Sequence, residues 1–348
     1  MLLALALARA EAGELEAALR GLEEAHALFP DAEALNAERI AALARVGEVE
    51  AALAEARRWS HRSWAAKIAL KLLSRHGRQS EAIEFEAAVA EADPADPDLF
   101  DCRAARRGHD PEVLLRLCDA VLVHDPGAAH ALYQRIVALV RLGRDAEAAD
   151  LLGLDRFLWA GTVPAPPPFE GDEPGFLAAL AEEILANPTL HRDPAGHATS
   201  NGLRTGIYPA ATDRAAPALV TAIKAAIGAY AERLGGDHPF VRAQPARARF
   251  TPWALVFAGT GRQRLHAHPG CWLTGVYYVA APDGSPRPGA IRIGGLPASA
   301  GVDPPWPPVE IEPEPGRLLL FPSFVPHETV PSGSGEVRIS VAFDVAAV

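Results

Sequence analysis

The sequence predicts a multidomain chain. An all-α array of short repeated helices occupies residues 1–157, a proline-rich linker 158–175, and an α+β domain with antiparallel strands in a sandwich or barrel 176–348. Three observations predict it. The first 155 residues are rich in Ala, Leu, Glu and Arg and carry single Gly and Pro residues at regular intervals, the pattern of stacked short helices. The stretch TVPAPPPFEGDEPG, residues 162–175, sets four prolines within five residues, which forbids helix and favours an extended spacer. Beyond Gly235-Gly236 the apolar residues fall into short runs between Gly/Pro clusters, as strands do.

The chain opens on MLLALALARAEAG, a short apolar run followed by small residues. It lacks the basic start of a secretory signal, and its helical pattern continues past Arg9, Glu11 and Glu14, so it reads as the first helix. Punctuation is periodic from there. Gly13 and Gly47 lie 34 residues apart, while Gly13 to Pro30, Pro30 to Gly47, Gly77 to Pro94 and Pro126 to Gly143 are each 17 apart. Gly13, Gly47, Gly77 and Gly143 are each followed five residues later by alanine (Ala18, Ala52, Ala82, Ala148), a small side chain where a second helix must approach the first closely.

These stretches, GELEAALRGLEEAHALFP and GRQSEAIEFEAAVAEADP among them, resemble the tetratricopeptide repeat over about four repeats. The resemblance implies helical hairpins in which Gly ends the first helix, small residues fill the helix contact and Pro ends the second. It weakens between Trp59 and Trp64, where tryptophans replace the small residue and the proline, and near Gly108. Such an array is either a plain scaffold or a concave groove for a peptide or protein. Residues 1–155 hold 27 of the 44 acidic and 18 of the 33 basic residues, so a groove ligand is expected to be basic or neutral.

A formal charge of -11 disfavours any broad basic face for nucleic acid or anionic lipid, and neither is expected as a partner. No uninterrupted apolar run reaches about 18 residues, so no transmembrane helix is expected. Cys102, Cys118 and Cys271, odd in number and widely spaced, form neither a disulfide framework nor a cysteine zinc site, which fits a reducing cytoplasm.

In the C-terminal domain two helices come first, Pro174 to about Ala186 with Asp172 as N-cap, and Ala215 to Leu234 with Leu219, Ile223, Ile227 and Tyr230 on one stripe. Strands are expected in ARARFTPWALVF, WLTGVYYVA, AIRIG, GRLLLF and VRISVAFDV. In LHAHPGCWLTGVYYV, His266 and His268 stand two apart at the mouth of a strand, so both imidazoles point the same way and can share one metal. Farther on come His327, a Gly/Ser turn at 332–335, and then Arg338 and Ser340. A hairpin centred near Gly333 would set His327 opposite the Arg338 region, with Arg338, Ser340 and Ala342 on one face. A guanidinium beside a metal corner makes an anion site. Together these features suggest a facial non-haem Fe(II) site, with 2-oxoglutarate as a co-substrate whose distal carboxylate pairs with Arg338 and hydrogen-bonds Ser340.

HAHPGCWLTGVYYV, GRLLLFPSFVPHETVP and VRISVAFDV resemble the Fe(II)/2-oxoglutarate oxygenases of the double-stranded β-helix (jelly-roll, cupin-like) fold, related to prolyl hydroxylases. The resemblance is clearest over residues 250–345. It implies His266 and His268 as the proximal metal pair, His327 as the distal ligand, Arg338 as the co-substrate clamp, and hydroxylation as the usual outcome. One departure stands out. The commoner pattern is His-x-Asp, and here His268 holds the second position, which leaves either three neutral imidazoles, unless a carboxylate arrives from elsewhere, or two protein ligands with His268 outside the ligand set; Asp303 and Glu328 have no spacing argument behind them. Tyr278 and Thr274 share a strand face and are expected near the co-substrate, while Tyr277 and Trp253 are expected to pack in the core and Cys271 to be a buried spectator. His191, His197 and His238 fall in loops without ligand spacing.

Three readings are open at this point: an Fe(II)- and 2-oxoglutarate-dependent hydroxylase, a three-histidine cupin-type dioxygenase needing no 2-oxoglutarate, and a non-catalytic repeat scaffold. Arg338 with Ser340 discriminates the first from the second. The substrate, whether a small molecule or a peptide or protein presented by the helical array, is not legible.

Overall fold

The computed structural model describes residues 14–59, 62–90, 100, 103–104, 108–193, 197–284, 288–333 and 335–348. The opening MLLALALARAEAG, with Gly13, and also Pro94 and Cys102 lie outside the described residues. The chain forms two compact units, residues 1–113 and 114–348.

The first unit holds α1 (Leu15–Leu28), α2 (Glu33–Val46), α3 (Val49–Arg58), α4 (Ser63–Arg75) and α5 (Gln79–Ala90), each packed on the next. The punctuation works as its spacing predicts. Gly47 and Gly77 take left-handed backbone at φ +90° and +69°, where a Cβ would be strained, and so end α2 and α4. Ala18, Ala52 and Ala82 are fully buried, the latter two within a core that includes Ile40, Leu53, Leu70 and Leu73. Trp59 and Trp64, which interrupt the repeat pattern, pair with ring centroids 5.8 Å apart.

The second unit starts within α6 (Pro111–His124) and continues through α7 (Ala129–Arg141) and α8 (Asp145–Leu152), where Gly143 at φ +70° and the fully buried Ala148 repeat the same device. A short α9 (Leu154–Phe157) leads into the β domain. There α10 (Glu173–Leu185) starts at Asp172, whose carboxylate accepts from the Gly175 amide at 3.0 Å as an N-cap should. α11 (Ala215–Arg233) buries Leu219, Ile223 and Tyr230, and α12 (Pro239–Arg242) is capped by the His238 ring. Tyr230 Oη donates to the Phe157 carbonyl at 2.7 Å and the His238 ring meets the Leu151 carbonyl at 3.1 Å, tying the helical hairpin to the β domain.

Ten strands follow in two antiparallel sheets: β1 (Trp159–Thr162), β2 (Leu190–Arg192), β3 (Thr199–Thr205), β4 (Ala248–Gln263), β5 (Leu273–Ala280), β6 (Ile291–Ile293), β7 (Val309–Ile311), β8 (Arg317–Pro322), β9 (His327–Thr329) and β10 (Arg338–Ala347). The large sheet has the order β1-β8-β5-β10-β4-β3-β2 and the small one β7-β6-β9. This is the antiparallel sandwich anticipated from the strand runs, with the jelly-roll-like two-sheet form that the resemblance implied. β1 lies inside the stretch read as a spacer. It and the polar β2 and β3 were not legible, because they become strands by adding to the sheet rather than by their own alternation. Tyr277, Val341 and Phe343 are fully buried on the helix side of the large sheet.

The hairpin expected near Gly333 does not form. β9 pairs with β6 in the small sheet, whereas β10 lies between β4 and β5 in the large one. The intervening segment, with Pro331 and Gly333 (φ +70°), carries the chain from one sheet to the other.

Candidate active site

Between the sheets lies a cavity of about 420 Å³. Its floor is one face of the large sheet, fixed by the period of two along its strands. Ladder partners place Thr251, Asp344, Thr274 and Phe321 in one row, Trp253, Ala342 and Val276 in the next, then Arg204, Leu255, Ser340 and Tyr278, and last Phe257 with Arg338. Alternation along β10 thus sets Arg338, Ser340, Ala342 and Asp344 toward the cavity, and Ile339, Val341 and Phe343 toward the core.

His266, His268 and His327 meet in this cavity. One donor atom from each lies within 4.8 Å of the others, with His327 buried and the other two half-buried. The chain brings them together through an isolated bridge, in which His266 and His327 exchange backbone hydrogen bonds at 3.0 and 2.9 Å. Their protonation is constrained by their partners. His266 Nδ1 lies 2.6 Å from the Arg264 carbonyl, His327 Nδ1 3.1 Å from the Val325 carbonyl, and His268 Nδ1 2.9 Å from Asp344 Oδ2. Carbonyls and carboxylates only accept, so each Nδ1 carries a proton, and a metal would be met through Nε2. Burial, with the neighbouring His268 ring opposing a further charge, pushes the His266 pKa down to about 4; burial and the two neighbouring imidazoles hold His327 well below its ordinary value. Three imidazoles with donor atoms this close, each held by an acceptor at Nδ1, fit a divalent ion of the imidazole-preferring class, iron included.

The other end of the floor is cationic. Arg338 is 2% exposed; its Nη1 donates to the Gly289 carbonyl and its guanidinium lies 4.9 Å from the Phe257 ring centroid. Gly289 takes φ +89°, a backbone that favours glycine, so its carbonyl is held beside the guanidinium. Among the described residues no carboxylate lies within ion-pair distance of Arg338, and burial lowers its pKa. Tyr278 and Ser340 adjoin it, 1% and 3% exposed, and the Tyr278 hydroxyl and Arg338 Nε are both buried without a protein partner. A buried cation with unpartnered donors around it has the chemistry to receive a carboxylate.

The remaining expectations separate. Thr274 lines the cavity beside Asp344, at the opposite end from Arg338, and its hydroxyl donates to the Phe343 carbonyl at 3.1 Å. Trp253 faces the cavity rather than the core side of the sheet, 5.9 Å from the His268 ring on one hand and 4.1 Å under the Arg204 guanidinium on the other. Tyr277 packs in the core as expected. Glu328 turns outward to within 3.9 Å of Arg292, and Asp303 is exposed and outside the cavity lining. The carboxylate that does reach the histidines is Asp344, which sequence reasoning missed although it continues the 338, 340, 342 alternation. His197 and Arg204 also line the cavity unforeseen. Burial and Asp344 push the Cys271 thiol up to about 12, so it stays protonated.

Residues 251–344 match the model of a family described as "Putative 2OG-Fe(II) oxygenase". Among solved structures, a Pseudomonas putida prolyl-4-hydroxylase is similar at 18% identity and a TM-score of 0.41, covering 61% of this chain and 99% of that one. A Trichoplax adhaerens prolyl hydroxylase, solved with a hypoxia inducible factor peptide fragment, is similar at 16% identity and 0.38, covering 60% and 92%. A tetratricopeptide repeat protein from Parabacteroides merdae is similar at 15% identity and 0.34, covering 44% and 63%. No curated protein matches the chain.

Proposed function

We propose that the 2-oxoglutarate/Fe(II) oxygenase domain carried by this chain is a working hydroxylase, with iron held by His266, His268 and His327 and 2-oxoglutarate held by Arg338, Ser340 and Tyr278. The observation that carries it is the pairing, in one cavity, of three imidazoles with a buried guanidinium that has no acid within ion-pair distance among the described residues. A three-histidine centre without 2-oxoglutarate would leave that buried cation unexplained, since an unpaired charge is costly to keep inside a protein.

Iron bound there would supply dioxygen activation coupled to oxidative decarboxylation of 2-oxoglutarate. The chain's own part is binding and orientation. Arg338 offers a planar fork to the distal carboxylate, which fixes the length of acid that can reach the histidines. The Tyr278 hydroxyl, pushed up to about 12 by burial, remains a donor at neutral pH and can bond the same carboxylate. Leu255, Ile291 and Phe321 keep the walls apolar, which strengthens these polar contacts. Thr274 lies at the histidine end of the floor, so any contact it makes with the co-substrate would be at the oxo-acid end. The prime substrate would enter beside Trp253 and Arg204, and a peptide or protein presented by the helical repeats is the class we put forward.

Anaerobic titration tests this reading. Fe(II) with 2-oxoglutarate should give a visible metal-to-ligand charge-transfer band in the wild type and none in His327→Ala, because an open facial site cannot spare a ligand. A wild-type protein that binds Fe(II) but shows no band and no 2-oxoglutarate affinity would overturn the assignment of Arg338.

A further inference from the structure

We propose that Asp344 is a positioning residue for the metal centre: through its bond to His268 it returns, one imidazole removed from the ion, the negative charge that the His-x-His pattern lacks. The inference rests on the metal-site reading above and deepens it. Of the three histidines, two hand their Nδ1 proton to a backbone carbonyl and only His268 hands it to a carboxylate, at 2.9 Å. His268 is also the residue that stands where the commoner pattern has its acid. The two features coincide on one side chain.

The geometry gives Asp344 two effects. An ionised carboxylate only accepts, so it fixes the His268 tautomer with Nε2 free for the ion. It also polarises the ring, making the imidazole a stronger donor toward a cation. Both groups are shielded, with side chains 14% and 16% exposed, so the attraction is little screened. Asp344 has no competing ion pair among the described residues: Arg204 acts on it only from beyond ion-pair distance, and the Cys271 thiol beside it is neutral. Its position is set by the sheet, on the cavity row between Thr251 of β4 and Thr274 of β5, so His268 is aimed by a rigid element rather than by a loop.

The experiment uses the full-length protein and Co(II) as the probe ion, with binding followed by calorimetry and by the ligand-field absorption of bound cobalt. Asp344→Asn keeps an acceptor of the same shape and removes the charge; Asp344→Ala removes both. Co(II) affinity should fall by about 10-fold in the first and by up to about 100-fold in the second. The affinity of the cobalt-loaded protein for 2-oxoglutarate, an anion, should be kept or tightened in Asp344→Asn. General damage to the domain would instead weaken both. Co(II) binding in Asp344→Asn equal to wild type overturns the role of Asp344. Wild-type binding no tighter than that of His327→Ala overturns the metal centre itself, and the two failures are thereby told apart.

Discussion

Replacing Arg338 by methionine should move two measurements in opposite directions. Without co-substrate the guanidinium is 2% exposed and, among the described residues, is compensated by the Gly289 carbonyl and the Phe257 ring face. Exchanging a buried ionic group for a packed apolar chain of similar length gains about 1–4 kcal/mol. Leaving the Gly289 carbonyl without its donor gives back about 1 kcal/mol. A net change between about 0 and 3 kcal/mol in favour of the variant is therefore expected, which at about 2–4 °C per kcal/mol for a domain of this size holds or raises Tm. With 2-oxoglutarate the sign reverses. Removing one partner of a buried, hydrogen-bonded charge pair costs about 2–5 kcal/mol. At about 1.4 kcal/mol per decade, the Kd rises by about 30-fold to several thousand-fold. Thermal unfolding of the metal-free protein gives the first number, and anaerobic titration of the Fe(II)-loaded protein with 2-oxoglutarate gives the second. A variant with lowered Tm and a Kd within about 3-fold of wild type would show that Arg338 is a structural group, and would refute the reasoning.

Stability of the metal-free protein should fall as pH drops below about 6.5, because the unfolded chain takes up protons that buried His266 and His327 refuse. The slope is up to about 1.4 kcal/mol per pH unit for each group, and for His266 it continues to about pH 4; urea unfolding at pH 7.5 and 5.5 measures it, and an identical slope in His266→Gln would contradict the assignment. Gly275→Ala should destabilise the β domain by about 1–3 kcal/mol, since its Cβ would lie 2.6 Å from the Leu319 carbonyl oxygen, a backbone atom of the neighbouring strand. A denaturation midpoint equal to wild type would exclude that close approach. Ala52→Leu should cost the helical unit a similar amount by forcing α3 away from its neighbours, readable by circular dichroism on heating.

What could be read from the sequence was whatever a short window dictates. Gly47, Gly77 and Gly143, with an alanine five residues on, encode helix ends and close helix contacts within a single hairpin, and the structure keeps them. Strand alternation likewise put Arg338, Ser340 and Ala342 on one face, because the period of two needs no knowledge of neighbours; His266 and His268 do meet, but from an isolated bridge and the loop after it rather than from a strand. Asp344 was on that same face; its meaning was hidden because its partner His268 is 76 residues away in the chain.

Tertiary structure decided which strands pair. Ser332 and Gly333 invite a hairpin, yet β9 and β10 enter different sheets, so that His327 and Arg338 line the cavity from opposite sheets. The same long-range pairing recruits β1, β2 and β3 from polar or proline-rich stretches and turns Trp253 toward the histidines. Local geometry fixes where a side chain points along its own strand. Which groups then meet depends on strand order and on closing long loops, and no short run of residues carries that information.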